Sequence, residues 1–149
     1  MRFADLTVGR VIETRERPVT AEEIVAFASR YDPQWFHTDP ARAESGRWAG
    51  LIGSGWMTCA IGMELAVEAV LAGSESFGSP GIDQLRWLEP VRPGDALRLR
   101  LEVLETRHSS SGRTGIVRWQ WRLSNQAGRP VLEMIATSLF DLGEGSGPG

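Results

Sequence analysis

The sequence is poor in features that cross-link a chain or anchor it in a membrane. It contains a single cysteine, Cys59, so no disulfide can form within the chain, and this usage suits a reducing compartment. No stretch approaches the roughly 18 consecutive apolar residues of a membrane span, and the first residues lack the apolar core of a secretory signal. We therefore expect a cytoplasmic protein without membrane association. We expect Cys59 to be a small buried residue rather than a nucleophile.

Positive charge is in the minority. The 16 Lys and Arg residues are outnumbered by 19 Asp and Glu residues, which gives a formal net charge of −3 and argues against a nucleic-acid partner. A chain of 149 residues fits one domain and buries enough surface to fold without a disulfide or a metal. We predict a single domain over residues 1–142 and a disordered Gly-rich tail over residues 143–149.

Two main helices are predicted in the first half of the chain. Thr20 and Glu23 form a capping-box pattern, apolar residues then recur at helical spacing, and Pro33 favours a helix end near Asp32. Residues 32–53 look irregular, with a short helical turn possible at residues 40–45. A longer helix is predicted over residues 54–71, and because it is apolar on almost all faces we expect it to be buried on most sides.

Strand patterns dominate the second half. Residues 97–103 and 117–123 alternate between apolar and polar side chains, as half-buried strands do, and residues 82–88 and 131–140 are further candidates. A short first strand is predicted within residues 9–19. The apolar face of the sheet must be buried against another element, and the apolar helix must be enclosed by other parts of the chain. We therefore predict an α+β fold in which a curved antiparallel sheet wraps around the long helix.

Few side chains can carry acid–base chemistry, because the chain has only two histidines. Asp32 and His37 follow a predicted helix end closely, and a carboxylate and an imidazole on one loop can converge on a substrate. The alternative is that Asp32 only ends the helix and His37 is a solvated loop residue. His108, beside a Ser-rich turn, is predicted to lie at the surface. No metal site is expected, because neither histidine has a Cys or carboxylate partner at ligand spacing.

A glycine-rich segment, Gly53-Ser54-Gly55, leads into the long helix. Glycine allows a ligand to approach the backbone closely, and the unpaired N–H groups of a helix start can bind an anion or a developing oxyanion. The alternative is that these glycines only permit a tight turn and close packing.

Three segments together carry a family resemblance. They are the Asp-x4-His loop at Asp32 and His37, Gly-Leu-Ile-Gly-Ser-Gly-Trp-Met-Thr at residues 50–58, and Arg-Trp-Leu-Glu-Pro-Val-Arg-Pro-Gly-Asp at residues 86–95. In this order they resemble MaoC-like dehydratases and (R)-specific enoyl-CoA hydratases, over about residues 5–141. The resemblance implies a hotdog fold, a homodimer or larger assembly of dimers, and a thioester bound near the dimer interface.

The resemblance also implies roles for individual residues. Asp32 matches the family's catalytic base and His37 its acid, and the N–H of Gly55 matches the amide that holds the thioester oxygen, with Gly53 and Ser54 beside it. The implied reaction is the reversible hydration of an enoyl thioester, or dehydration of a 3-hydroxyacyl thioester, carried by coenzyme A or by an acyl carrier protein. No cofactor is implied beyond the coenzyme A of the substrate.

Two departures from the family pattern bear on specificity. The family loop usually reads Asp-x-Asn-Pro-(aliphatic)-His, whereas Gln34, Trp35 and Phe36 precede His37 here. Trp35 is expected to line and shorten the acyl pocket; the alternative is that it packs beneath the loop. The second departure concerns a serine on the helix of the (R)-hydratases, for which the matching position here is Met63.

A basic stretch and two helix carboxylates leave further alternatives open. Four arginines, Arg86 foremost, could meet the phosphates of coenzyme A or could form the solvated faces of strands; the others are Arg92, Arg98 and Arg100. A hotdog thioesterase would need a carboxylate on the long helix, for which Glu64 and Glu68 are the candidates, although both fit a solvated or ion-paired edge. A third possibility is a protein that binds acyl-CoA without turning it over.

Overall fold

The computed structural model describes residues 1–143. The described chain begins with a 3₁₀ turn (Phe3–Asp5) and two short strands, β1 (Val11–Glu13) and β2 (Arg17–Pro18). The helices that follow are α1 (Ala21–Tyr31), α2 (Trp35–Thr38), α3 (Pro40–Glu44) and α4 (Gly55–Ala66), and α4 continues into a π-helical turn (Val67–Leu71). The long strands are β3 (Ser76–Trp87), β4 (Ala96–His108), β5 (Thr114–Ser124) and β6 (Pro130–Asp141).

The strands form one antiparallel sheet in the order β1-β4-β5-β6-β3, with β2 also paired to β4. Buried residues alternate with partly exposed ones along β5 and along most of β6, so the sheet has one inner face. Trp119 and Leu99 from that face share the core with Ile61 and Leu65 of α4. The predicted α+β hotdog fold, a sheet around a long helix, is confirmed. The single strand predicted within residues 9–19 is instead two short ones.

Helix α1 begins and ends as its sequence predicts. The Thr20 hydroxyl accepts a hydrogen bond from the Glu23 N–H at 3.2 Å, and the Glu23 carboxylate accepts from the Thr20 N–H at 3.0 Å. The Asp32 N–H closes the last turn on the Ala28 carbonyl at 2.8 Å, and Pro33 then disfavours continuation. The helical turn predicted at residues 40–45 corresponds to α3, whereas α2 had no predicted counterpart.

Helix α4 is less enclosed than its composition predicts. Met57, Ile61 and Leu65 are buried, but Trp56 keeps 59% of its surface exposed and Met63 keeps 48%. The expectation of burial on most sides is therefore wrong for one face. The cause lies in β3, which is paired with β6 on one side only and is itself exposed along most of its length, so it does not cover that face.

A bulge in β3 decides which side chains face inward. Gln84 has a φ of 53°, in the left-handed region that non-glycine residues rarely adopt, and the pairing register with β6 shifts between Asp83 and Arg86. Ile82 then lies opposite Ala136, and Trp87 opposite Leu132. Both partners are buried, and directly opposed residues share a face. The extra residue therefore places Ile82 and Trp87 together on the inner face.

Two further sequence predictions concern membrane association and the Gly-rich tail. Within residues 1–143, no helix combines the length and hydropathy needed to cross a membrane. The predicted disorder of the Gly-rich tail falls, apart from Gly143, on residues outside those that the structure describes.

Candidate active site

The end of α1 and the short helix α2 bring Asp32 and His37 together. The Nε2 atom of His37 lies 3.3 Å from the Oδ2 atom of Asp32, and His37 is only 5% exposed. Its Nδ1 atom lies 2.6 Å from the carbonyl oxygen of Ile52. A carbonyl can only accept, so Nδ1 carries a hydrogen and Nε2 is the nitrogen free to gain or lose a proton.

Two side-chain donors hold the Asp32 carboxylate. The Ser54 hydroxyl donates to Oδ2 at 2.8 Å, and the Gln34 side-chain amide donates to Oδ1 at 2.7 Å. Burial by itself raises the pKa of Asp32, but the hydrogen bonds from Gln34 and Ser54, with the charge of His37, outweigh it and hold the pKa below its usual value. Asp32 is therefore an ionised carboxylate at neutral pH.

The start of α4 faces this pair. Ser54 precedes the helix but makes no side-chain capping bond, because its hydroxyl is bonded to Asp32. The backbone N–H of Gly55, the first residue of α4, has no acceptor among the described residues. It is therefore available to an electronegative atom in the cleft.

Close packing requires glycine at position 55 and constrains position 53 less, because the atom nearest to position 53 is the flexible end of a methionine. A Cβ atom at Gly55 would lie 2.5 Å from the Trp87 ring, and one at Gly53 would lie 2.9 Å from the end of the Met57 side chain. The two explanations of these glycines, close packing and an exposed amide, therefore both describe Gly55.

Asp32 and His37 line a cleft of about 330 Å³ whose walls include three tryptophans. Trp48, Trp56 and Trp87 all contribute to it, and the Trp56 and Trp87 rings meet edge to face with centroids 5.2 Å apart. None of these tryptophans was predicted as a site residue, although Trp56 and Trp87 lie in the segments that carry the family resemblance. Trp56 sits on a helix face that was expected to be buried, and Trp87 faces inward only because of the bulge at Gln84, for which the sequence offers no signal.

The structure does not bring Trp35 to the cleft. Its ring packs against Gly46, where a Cβ atom would lie 2.7 Å from it, and the Arg42 guanidinium stacks 4.4 Å from its centroid. The expectation assumed a loop, but residues 35–38 form a helical turn, in which side chains two residues apart point to nearly opposite sides. Because His37 faces the cleft, Trp35 faces away from it, over α3.

Arg86 is also separated from the cleft. The bulge that turns Trp87 inward turns Arg86 to the outer face of the sheet, where it lies beside Gln120 and Glu133. Arg98 and Arg100 are paired with Glu16 and Glu102 respectively. Arg92 donates at 2.8 Å to the carbonyl of Trp48, a residue that lines the cleft.

The remaining candidates lie elsewhere. Met63, the position matched to a serine of the (R)-hydratases, lines a different cavity, whereas the hydroxyl-bearing residue of α4 that lines the cleft is Thr58. Cys59 is half-buried rather than fully buried, and burial raises the pKa of its thiol. His108 is exposed, as predicted. Within residues 1–143, no three His, Cys, Asp or Glu side chains are grouped so as to hold a metal ion.

Comparison with known proteins places this chain in a family. The profile of the MaoC like domain matches residues 3–120. The structure of the MaoC-like dehydratase from Rhodospirillum rubrum is 36% identical, with a TM-score of 0.84 over 93% of this chain and 94% of that one. The R-hydratase PhaJ1 from Pseudomonas aeruginosa is 27% identical, with a TM-score of 0.75 over 93% and 84% of the two chains.

A curated relative agrees with this placement over a shorter region. The 3-hydroxyacyl-thioester dehydratase Z of Mycobacterium tuberculosis is 33% identical over 82 residues, which are 54% of this chain and 54% of that protein. The match thus spans about half the length of that relative. Since the family profile covers most of the described chain, the protein belongs to the MaoC-like dehydratase family.

Proposed function

We propose that the protein catalyses the reversible addition of water to the double bond of an enoyl thioester, and that the carrier is coenzyme A. The observation that supports this most directly is the contact between Asp32 Oδ2 and His37 Nε2 at 3.3 Å, inside a cleft that also contains the start of α4. The names of the R-hydratase and 3-hydroxyacyl-thioester dehydratase relatives agree with a reaction of this class.

The proposed hydration assigns each group one task. Asp32, held ionised, accepts a proton from water as the water oxygen bonds to C3 of the substrate. The electron pair of the double bond moves toward the thioester, and the free Gly55 N–H stabilises the negative charge that develops on its oxygen. Protonated His37 then delivers the Nε2 proton to C2.

The same contact closes the catalytic cycle. After one turnover Asp32 carries a proton and His37 lacks one, and direct transfer between Oδ2 and Nε2 restores both. Because the two groups adjoin, they approach the substrate from one side, so hydroxyl and hydrogen are added to the same face. The thioester itself acidifies the C2 position, and the proposed reaction requires no cofactor.

The thioesterase alternative finds little support in the positions of Glu64 and Glu68. Neither carboxylate lines the cleft. Arg15 contacts Glu68 at 2.8 Å, and Arg17 contacts Glu64 at 3.1 Å, so both carboxylates belong to a surface ion-pair network. The non-catalytic alternative does not explain why an ionised carboxylate adjoins an imidazole in the cleft.

A turnover screen tests the proposal. Enoyl-CoAs of 4 to about 12 carbons are mixed with the protein, and the loss of conjugated-thioester absorbance is followed together with the release of free thiol. Hydration predicts absorbance loss without thiol. Thiol release would support the thioesterase, and no change with any substrate, despite binding, would support a binding protein.

Replacing Ser54 by alanine is expected to move the acid limb of the kcat/KM profile to higher pH. The Ser54 hydroxyl helps to lower the pKa of Asp32, so its loss raises that pKa and the base becomes protonated at a higher pH. The matched control is Ser45→Ala, which removes an exposed hydroxyl bonded to the Arg42 carbonyl and should leave the limb in place. An unchanged acid limb in Ser54→Ala would count against Asp32 as the base.

We further propose that the protein is a homodimer. Strand β3 is an edge strand of 12 residues, and it exposes Phe77 and Ile82. A long edge strand with exposed apolar side chains invites pairing with another chain, and a two-fold axis satisfies both copies at once. Sedimentation equilibrium at micromolar concentration should give twice the chain mass of 16.4 kDa; a monomer would contradict the proposal.

A further inference from the structure

A second apolar cavity lies farther along α4, beyond the catalytic cleft. Its volume is about 390 Å³, comparable to that of the cleft. Met63, Val67 and Leu71 form one wall, and the inner face of the sheet forms the other, including Ile82 and Ala136. None of its lining residues belongs to the reaction proposed above.

An apolar face of the helix connects the two spaces. Trp56 lines the cleft, and Met63 and Val67 line the second cavity. These residues are 7 and 11 positions apart, a spacing that places them along one helix face, and all three are partly exposed. A ligand tail that leaves the cleft along α4 would therefore stay on apolar surface.

Trp87 lies in the cleft over the first turn of α4. Its indole N–H donates to the Gly55 carbonyl at 2.9 Å, and its ring lies directly over Gly55 and beside Trp56. Trp87 lines the cleft but not the second cavity. These contacts hold the indole over the first turn of α4, on the same inner face of β3 as Ile82, which lines the second cavity.

The second cavity has the character of space for an occupant rather than of packed core. Met63, Val67 and Ile82, which line it, each keep 40% or more of their surface exposed. An apolar tail can therefore lie against these side chains without displacing buried ones.

We propose that Trp87 sets the upper limit on acyl length, and that the substrates are therefore short-chain acyl thioesters. The indole closes the cleft just beyond the position of the thioester oxygen at Gly55, so a short acyl group fits and a longer one meets the ring. Without the indole, the acyl chain of a longer substrate can extend into the second cavity. This inference rests on the proposed function only in taking an acyl thioester as the ligand of the cleft.

The variant Trp87→Ala tests the barrier. We expect the wild type to prefer crotonyl-CoA over 2-octenoyl-CoA, and the variant to shift the ratio of kcat/KM toward the longer substrate by roughly 10-fold for each methylene newly accommodated. Trp87→Phe, which keeps a ring but loses the N–H, should retain the short-chain preference. Trp35→Ala is the matched control, since it removes the same side chain outside the cleft and should leave the ranking of chain lengths unchanged.

Filling the second cavity tests where the tail goes. Adding Val67→Trp to Trp87→Ala should abolish the gain for 2-octenoyl-CoA and leave crotonyl-CoA unaffected. If Trp87→Ala is unstable by its Tm, Trp87→Leu takes its place. An unchanged ratio in the folded variant, or a gain that Val67→Trp does not remove, overturns the proposal.

A binding measurement separates this inference from the proposed reaction. Calorimetry with saturated butyryl-CoA and octanoyl-CoA needs no turnover. We expect the wild type to favour butyryl-CoA and Trp87→Ala to bind octanoyl-CoA more tightly than the wild type does. If these binding preferences are found but the protein hydrates no enoyl-CoA, the role of Trp87 as the limit on acyl length is supported and the proposed hydratase activity is contradicted. Equal binding of both ligands by the wild type would overturn the barrier, whatever the activity.

Discussion

Asp32→Asn is expected to lower kcat for enoyl-CoA hydration by about 10²- to 10⁴-fold, the usual cost of losing a positioned acid or base. Asparagine has nearly the same shape and can still accept a hydrogen bond from Ser54 or Gln34, so the cleft should keep its form. What is lost is the ionised oxygen that accepts a proton from water. Steady-state hydration rates with crotonyl-CoA, together with the Tm, measure both consequences.

Asp39→Asn is the matched control for this variant. It makes the same chemical change on the same stretch of chain, at an exposed residue whose carboxylate accepts from the Arg42 N–H at the start of α3. Asparagine caps helices about as well as aspartate, so both stability and turnover should be close to those of the wild type. Near-normal turnover in Asp32→Asn would contradict the assignment of Asp32 as the base.

His37→Gln is expected to cause a loss of similar size, about 10²- to 10⁴-fold in kcat. Glutamine can still donate to the Ile52 carbonyl, but it cannot hold and release a proton near neutral pH. His108→Gln is the matched control, because it removes the other histidine, which lies at the surface, and it should leave turnover unchanged.

The double variant Asp32→Asn/His37→Gln should be little worse than either single variant. Groups that act as one unit lose most of their effect when either is removed, and the 3.3 Å contact between the two side chains makes them such a unit. Multiplicative losses in the double variant would instead indicate two independent contributions and would contradict the proton exchange proposed between Asp32 and His37.

Local sequence patterns were sufficient to predict most of the fold. The capping box at Thr20 and Glu23 and the proline at position 33 determine where α1 begins and ends, and that end positions Asp32. Alternation predicted the cores of β4 and β5, because a sheet with one buried face imposes a period of two on each strand. These signals depend only on neighbouring residues, so they can be read without the tertiary structure.

The parts of the site that were mispredicted depend on small local irregularities. Trp35 faces away from the cleft because residues 35–38 form a helical turn. The sequence Trp-Phe-His-Thr contains no pattern that predicts such a turn. Arg86 and Trp87 exchange faces because Gln84 adopts a positive φ, and glutamine is not a residue that signals such a bulge. A one-residue change in register reverses the direction of every later side chain of a strand. Because of this single irregularity, Trp87 faces the cleft in place of the predicted Arg86.

The most direct test of the central claim is the fate of the water oxygen. Crotonyl-CoA is incubated with the protein in ¹⁸O-labelled water, and mass spectrometry locates the label in the products. Our account predicts one ¹⁸O atom in the hydroxyl group on C3 of an intact 3-hydroxyacyl-CoA, absent with Asp32→Asn over the same time. Label in a released carboxylate, or no label in any product, would contradict it.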